Sequence, residues 1–365
     1  MKNIRLIFVG GFLGAGKTTL LYELTRILTE RGKKVGLITN DQAPDLADTS
    51  LLEHTSVKVA EVAGSCFCCD FKGLKSAIND LGKDERPDII IAEPVGSCTD
   101  LSATLINPIK DIMKTEISLA PLTVLADPGR LTGILDGNSA MHPSAVYIIK
   151  KQLEESDVIA VSKSDMYDHD HTTTLTGRLK LLFPECEIMT LSAKSGEGLQ
   201  EWLDLILTQE EAGKNIAEVN YDRYAEGEAV LGWLNCSASL SGAGIDWDRF
   251  TQDLMKEIAR RIEERNLTVG HIKMLVENGD KYISANLTGN RETLSCRWSA
   301  GKGDYAEMIF NARVEMSPGN LEVLFTDSLK VVTDGLIEVK IRRLKSLSPG
   351  RPQPTYRYNR EAGNK

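Results

Sequence analysis

The segment GFLGAGKTT at residues 11–19 constrains the fold of this chain more than any other feature of the sequence. It fits the pattern G-x-x-x-x-G-K-[ST], follows an apolar run of strand length at residues 5–10 and opens a segment with helical apolar spacing at residues 18–31. In this motif the glycines let backbone N–H groups converge on phosphate oxygens, and the helix N-terminus adds positive potential. The sequence therefore predicts a nucleotide-binding loop between the first strand and the first helix.

The predicted phosphate site has a cation and a metal ligand of its own. Lys17 would reach the β- and γ-phosphates, and Thr18 would coordinate Mg²⁺. The predicted nucleotide contacts in this loop are Gly11, Gly14, Ala15, Gly16, Lys17, Thr18 and Thr19.

Two acidic residues follow buried strands and complete the predicted magnesium site. Asp41 ends the motif TND, and Glu93 begins the motif EPVG, so both lie at the strand edge where open parallel sheets bind ligands. Mg²⁺ usually takes one or two carboxylates together with phosphate and water. Either residue alone could be a solvated strand end. Together with Lys17 they are our predicted catalytic residues, with Asp41 and Glu93 binding Mg²⁺ directly or through water.

Two short motifs further along the chain indicate which base is bound. The motif SKSD follows a buried strand and is close to the N-K-x-D pattern by which GTPases recognise guanine, with Ser in place of Asn. A carboxylate there accepts hydrogen bonds from the ring N–H and the exocyclic amine of guanine, which adenine does not offer. The motif SAK follows the next strand, and the pair favours GTP over ATP. The predicted base contacts are Ser162, Lys163, Asp165, Ser192, Ala193 and Lys194.

Three of the seven cysteines stand within four residues, at Cys66, Cys68 and Cys69. An odd number of cysteines without regular spacing argues against a disulfide framework and favours metal or redox chemistry. Three thiolates on one loop suit Zn²⁺, Co²⁺ or Ni²⁺ and leave a fourth position for another ligand, such as Cys98, for water or for a partner. The alternatives are a closed structural zinc site or three buried free thiols.

Apolar runs without alternation, separated by helical segments, predict an α/β fold. We expect a P-loop NTPase domain at residues 1–207, with a mostly parallel sheet covered by helices. A polar linker at 208–228 leads to a smaller α+β domain at 229–345. The remaining segment, 346–365, is rich in Pro, Gly and charge, and we expect it to be disordered.

Charge and hydropathy exclude some partners. The net charge of −9 argues against a nucleic-acid partner. The N-terminal apolar run is too short for a membrane span and passes directly into the phosphate-binding motif. We therefore expect no membrane partner and a cytoplasmic location.

These motifs, in this order, resemble the CobW, HypB and UreG class of P-loop GTPases, and the C-x-C-C cluster resembles its CobW-like branch. The resemblance covers roughly residues 4–207. It implies GTP as substrate, Mg²⁺ as cofactor and a transition metal as cargo. It also implies a client metalloenzyme or cofactor enzyme as partner, and it leaves a nucleotide-dependent dimer open.

Three functions follow from this reading. The first is a GTP-hydrolysing metallochaperone whose nucleotide state controls the cysteine site. Its hydrolysis is slow without a partner, because no arginine finger is assigned. The second is a GTPase that activates or loads a cofactor enzyme, for example a corrinoid-dependent one. The third is a P-loop kinase with a structural zinc, against which the SKSD and SAK motifs argue.

Overall fold

A computed structural model of the chain describes residues 3–42, 46–55, 57–83, 85–289 and 294–362. The chain divides into two compact units. The first unit is formed by Met1–Gln42, Leu52–Tyr224 and Arg351–Lys365, and the second by Ala43–Leu51 and Ala225–Gly350. The first unit therefore runs through most of the predicted linker and also takes up the C-terminal segment.

The first unit is built on an eight-stranded parallel sheet. The strand order is β3-β2-β4-β1-β6-β7-β8, and β5 pairs with β1. All eight residues of β1 are buried, because helices cover both faces of a central parallel strand. The strands are β1 (Ile4–Gly11), β2 (Val35–Asp41), β3 (Lys58–Ala63), β4 (Ile89–Glu93), β5 (Ile117–Leu119), β6 (Thr123–Ala126), β7 (Val158–Val161) and β8 (Glu187–Thr190).

The helices of this unit bury apolar stripes against the sheet. In α1 the buried leucines at positions 20, 21, 24 and 28 follow the spacing of one helical face. Within the described ranges, no helix is both long and apolar enough to cross a bilayer. The helices of this unit are α1 (Lys17–Glu30), α3 (Phe71–Leu81), α4 (Asn107–Ile112), α5 (Pro128–Leu135), α6 (Pro143–Glu154), α7 (His169–Leu182) and α8 (Leu199–Thr208), while α2 (Ala47–Glu53) and α9 (Tyr221–Ala229) each have residues in both units.

The second unit is built on a six-stranded antiparallel sheet of order β12-β11-β10-β13-β9-β14. Two helices, α10 (Trp247–Glu264) and α11 (Pro318–Thr333), contribute to its core, where the rings of Phe310 and Phe325 stack with centroids 4.5 Å apart. The predicted fold class, a parallel sheet covered by helices plus a smaller α+β domain, is confirmed. The strands are β9 (Gly232–Asp246), β10 (Val269–Asn278), β11 (Lys281–Leu287), β12 (Ser295–Ser299), β13 (Lys302–Val314) and β14 (Glu338–Leu347).

The C-terminal segment 346–365, for which we expected disorder, is described up to residue 362 and makes contacts there. Its first two residues end β14, and from residue 351 the chain belongs to the first unit. Arg357 forms an ion pair with the buried carboxylate of Asp100, at 2.7 Å from Nε to Oδ2. Few aliphatic residues suggested disorder, but charged and aromatic side chains supply the contacts instead. Residues 363–365 lie outside the described part.

Candidate functional site

The phosphate-binding loop depends on two glycines with positive φ. Gly11 ends β1 with φ 126°, and a Cβ atom there would lie 2.5 Å from the carbonyl oxygen of Leu125. Gly16 precedes α1 with φ 99°. Because side chains are strained at such angles, both positions require glycine. Lys17 is buried, and its Nζ donates a hydrogen bond to the carbonyl of Gly11 at 2.9 Å.

Thr18, Lys17 and Glu93 meet at the carboxyl end of the sheet. The Thr18 hydroxyl donates to the Glu93 carboxylate at 3.2 Å, and Lys17 Nζ lies 3.8 Å from Glu93 Oε1. Asp41 is buried at the end of the neighbouring strand β2, where Thr39 pairs in register with Glu93. Hydroxyl and carboxylate oxygens are the ligands that Mg²⁺ takes, so this donor set fits the predicted ion.

The two predicted base-recognition motifs lie side by side. The Ser192 hydroxyl donates to Asp165 Oδ1 at 2.6 Å, and the Ser162 hydroxyl donates to the carbonyl of Ala126 at 3.3 Å. Ala193 and Lys194 form the turn that follows Ser192. The contact with Ser192 fixes the orientation of the Asp165 carboxylate. A fixed carboxylate is what recognition of guanine through two acceptor oxygens requires.

Two residues at this edge were missed by the sequence analysis. Asp127 follows β6, and its carboxylate lies 2.5 Å from the Nζ of Lys163, which has φ 55°. Arg130 lies one helical turn further along, where its Nη1 donates to the carbonyl of Leu13 in the phosphate-binding loop at 2.6 Å. The signal for Asp127 was present, since it is an acidic residue directly after a buried strand.

The three clustered cysteines have the separations of a metal site. Cys66 Sγ lies 3.1 Å from Cys68 Sγ, which lies 3.8 Å from Cys69 Sγ, and all three sulfurs are within 4.8 Å of one another. Zn–S bonds of about 2.3 Å in a tetrahedron put sulfurs roughly 3.8 Å apart. Cys66 and Cys68 are buried and Cys69 is partly exposed. A small widening of the Cys66–Cys68 separation therefore gives three ligands of one ion.

We call residues 64–70, between β3 and α3, the cysteine loop. It is held by the side chain of Asn40, which is not a predicted metal ligand. The Asn40 amide donates to the carbonyls of Val62 at 2.8 Å and Ser65 at 2.7 Å, and its oxygen accepts the N–H of Phe67 at 2.9 Å. A buried amide that makes three such bonds fixes both the entry to the loop and its centre. Asn40 belongs to the TND motif, but the sequence alone gave it no role.

The same strand end also carries the predicted magnesium ligand. The carbonyl of Asp41 accepts the N–H of Gly64 at 2.9 Å. The backbone of Asp41 is therefore hydrogen-bonded to the start of the cysteine loop. On the other side of the loop, Asp70 caps α3 by accepting the N–H of Gly73 at 2.9 Å. The loop is therefore fixed between the end of β2 and the beginning of α3.

The environment of Cys68 and Cys69 favours protonated thiols when no metal is bound. Hydrogen bonding to Cys66, and then to Cys69 and Cys98, together with burial, raises the pKa of Cys68 well above its usual value. Hydrogen bonding to Cys66 is also the main cause that raises the pKa of Cys69, to about 11, and burial adds to it. Because thiolates are the ligands, metal binding at neutral pH must displace these protons.

The chain is similar to several known proteins. A profile of the CobW/HypB/UreG nucleotide-binding domain matches residues 5–190. The chain is 26% identical over 221 residues to the zinc-regulated GTPase metalloprotein activator 1 of Dictyostelium discoideum, which covers 52% of this chain and 46% of the relative. It is 27% identical over 184 residues to the zinc chaperone CobW of Sinorhizobium sp., and this alignment covers 44% of this chain and 51% of the relative.

The chain thus spans about half the length of these two relatives. The solved structure of the Zn(II)-bound YjiA GTPase from E. coli aligns with 92% of this chain and 99% of its own, at 15% identity and a TM-score of 0.38. The family assignment is based on the profile, which matches half of the chain. This chain belongs to the CobW/HypB/UreG family.

Proposed function

We propose that this protein is a GTP-hydrolysing metallochaperone in which the nucleotide state controls a transition metal bound by Cys66, Cys68 and Cys69. The observation that carries the proposal is that the end of β2 contacts both sites. There Asn40 and the backbone of Asp41 hold the cysteine loop, while the side chain of Asp41 is the predicted magnesium ligand. Movement of this strand end with the nucleotide would therefore reach the metal ligands directly.

Hydrolysis of GTP needs charge stabilisation around the phosphates. Lys17 and the loop N–H groups would bind the β- and γ-phosphate oxygens, and Thr18 with Glu93 and Asp41 would hold Mg²⁺. Held by these residues, Mg²⁺ would supply neutralisation of the charge that develops on the phosphates. In this proposal Lys17 exchanges its contact with the Gly11 carbonyl for a phosphate oxygen, and turnover is slow until a partner binds.

The cargo that we propose is Zn²⁺, in keeping with the names of the two relatives, and the recipient is a separate metalloenzyme. Three thiolates leave one coordination position through which a client ligand could take over the ion. We place this exchange in the cytoplasm, because all seven cysteines are free thiols and such thiols persist in a reducing compartment. A nucleotide-dependent dimer is a further expectation, which light scattering with Mg–GTP analogue and Mg–GDP tests.

The proposal is tested by assaying hydrolysis and zinc stoichiometry on the same preparations. We expect GTP to be hydrolysed in preference to ATP, and Lys17→Ala to lower turnover by about 10²-fold or more, as loss of one charge-stabilising donor does. We expect one Zn²⁺ per chain, lost when Cys66, Cys68 and Cys69 are replaced by Ala. Cys296→Ala is the matched control, because Cys296 is exposed in the second unit. Preference for ATP, or zinc retained by the triple variant, would contradict the proposal.

A further inference from the structure

The C-terminal segment lies directly on the cysteine loop. The backbone N–H of Gln353 donates to Cys69 Sγ at 3.2 Å, and the backbone N–H of Thr355 donates to the carbonyl of Cys68 at 2.8 Å. The Thr355 hydroxyl donates to the carbonyl of Cys69 at 3.0 Å. Three hydrogen bonds thus join this segment to the two cysteines at the end of the loop.

The same segment is fixed on its other side by an ion pair with a buried carboxylate. Arg357 contacts Asp100, whose carboxylate also accepts the hydroxyl of Tyr221 at 2.6 Å. Asp100 is only 1% exposed, and a carboxylate so buried is costly without a charged partner. Arg357 therefore holds the segment at a position set by the first unit. Asp100 stands seven residues after Glu93 in the chain.

Further contacts continue the attachment beyond the cysteines. The ring of Tyr356 meets that of Phe71, the first residue of α3, edge to face with centroids 5.1 Å apart. Tyr358 donates its backbone N–H to the carbonyl of Ala103 at 2.9 Å and its hydroxyl to Asp111 at 2.8 Å. Every residue of 355–358 therefore makes a contact with the rest of the first unit, on both sides of the ion pair.

We propose that residues 353–358, which we call the C-terminal clasp, are positioning residues of the metal site and slow the exit of the bound metal. This inference rests on the proposed function, in which the cysteine loop binds the metal. Cys69 is the most exposed of the three thiols, so it faces the solvent side of the site. The Gln353 N–H holds its sulfur from that side, and a hydrogen bond from a backbone N–H favours the thiolate that binds metal.

The clasp can be tested in the full chain through one backbone N–H. Gln353→Pro removes the donor to Cys69, whereas Gln353→Ala keeps it, and the side chain makes none of the contacts described. A second pair is Arg357→Ala, which breaks the ion pair with Asp100, and Arg360→Ala, an exposed control. The chain is loaded with Zn²⁺, and its release to a chromophoric chelator is followed by stopped flow.

We expect Gln353→Pro and Arg357→Ala to release zinc about ten-fold faster than wild type, since loss of an outer-shell partner costs about 10–100-fold in metal affinity. Gln353→Ala and Arg360→Ala should stay within about two-fold. Substitution with Co²⁺ gives a second readout, because a change at the Cys69 sulfur shifts the thiolate-to-cobalt absorption, while general loss of stability leaves it in place. Guanine nucleotide affinity serves as the check of folding.

Zinc release from Gln353→Pro and Arg357→Ala at the wild-type rate, with one zinc bound, would overturn the clasp and leave the proposed function intact. Failure of the wild type to bind zinc through its cysteines would instead overturn the proposed function, and the clasp with it. If Gln353→Pro loses nucleotide affinity, the zinc release rates of Arg357→Ala and Arg360→Ala decide whether the clasp slows metal exit.

Discussion

At the scale of single residues, the metal loop depends on Asn40, whose three hydrogen bonds reach main-chain atoms on both sides of Cys66. We expect Asn40→Ala to lower zinc affinity about 10–100-fold, as outer-shell substitutions do. Isothermal titration with Zn²⁺ under anaerobic conditions measures this. The control is Asn79→Ala, at an exposed position of α3. Equal zinc affinities of Asn40→Ala and wild type would show that the loop keeps its geometry without this amide.

Asp165 gives a prediction about base choice. Asp165→Asn replaces an acceptor by a donor, so it should lose the hydrogen bonds to the ring N–H and amine of guanine. Each hydrogen bond to a charged group contributes about 1.5–3 kcal/mol, so GTP affinity should fall at least about ten-fold. Xanthosine triphosphate, with a carbonyl in place of the amine, should bind the variant better than GTP does. Fluorescence titration with labelled nucleotides checks this, and unchanged GTP affinity would remove Asp165 from the base site.

The functional motifs could be identified from the sequence, but the residues that support them could not. The ligand types and spacing of the cysteines indicate metal from sequence alone, and family membership agrees with the resemblance based on the same motifs. Asn40 was missed because its partners are main-chain atoms more than twenty residues away, which leave no pattern in the sequence. The role of Asp127 beside Lys163 depends on two strands being neighbours in the sheet.

At the scale of elements, a buried acid at the C-terminal end of α6 ties that helix to the segment after β4. Glu155, which directly follows α6, accepts the Thr99 hydroxyl at 2.8 Å and the N–H of Ser102 at 2.9 Å. Burial, with repulsion from Asp100 as the second cause, raises the pKa of Glu155 from 4.5 to about 8. The folded state therefore binds a proton that the unfolded state releases between these two pH values.

This proton gives a pH dependence of stability with a definite sign. Because the folded state holds more protons, the free energy of unfolding should fall as pH rises from 4.5 to about 8, by up to about 1.4 kcal/mol per pH unit. Glu155→Gln stays neutral and should lose this slope, so it gains stability relative to wild type as pH rises. Urea unfolding at several pH values measures both. Parallel pH profiles for the two proteins would contradict a raised pKa at this site.

Elements were predictable where they bury continuous apolar runs, as β1 and β7 do. The three residues of β5 are too few to form a pattern, and most residues of β12 and β14 are exposed, so their sequences look like loops. The contacts of the C-terminal segment were not expected, since composition does not reveal that Arg357 has a buried carboxylate to meet. Such pairings depend on tertiary contacts, which no local pattern encodes.

At the scale of the whole molecule, the end of β2 joins the predicted magnesium site to the cysteine loop. Asp41 is the predicted Mg²⁺ ligand, and its carbonyl and the neighbouring Asn40 hold the loop that carries the cysteines. If nucleotide moves this strand end, the affinities for metal and nucleotide must be coupled reciprocally. Typical coupling free energies are about 1–3 kcal/mol, which correspond to roughly 5–150-fold in affinity.

The most direct test is an anaerobic Zn²⁺ titration of the wild-type protein with a Mg–GTP analogue and again with Mg–GDP, in parallel with the variant in which Cys66, Cys68 and Cys69 are replaced by Ala. We predict that the cysteines bind one zinc and that its affinity differs at least about five-fold between the two nucleotide states. Equal zinc affinity with the GTP analogue and with GDP would contradict nucleotide control of the metal.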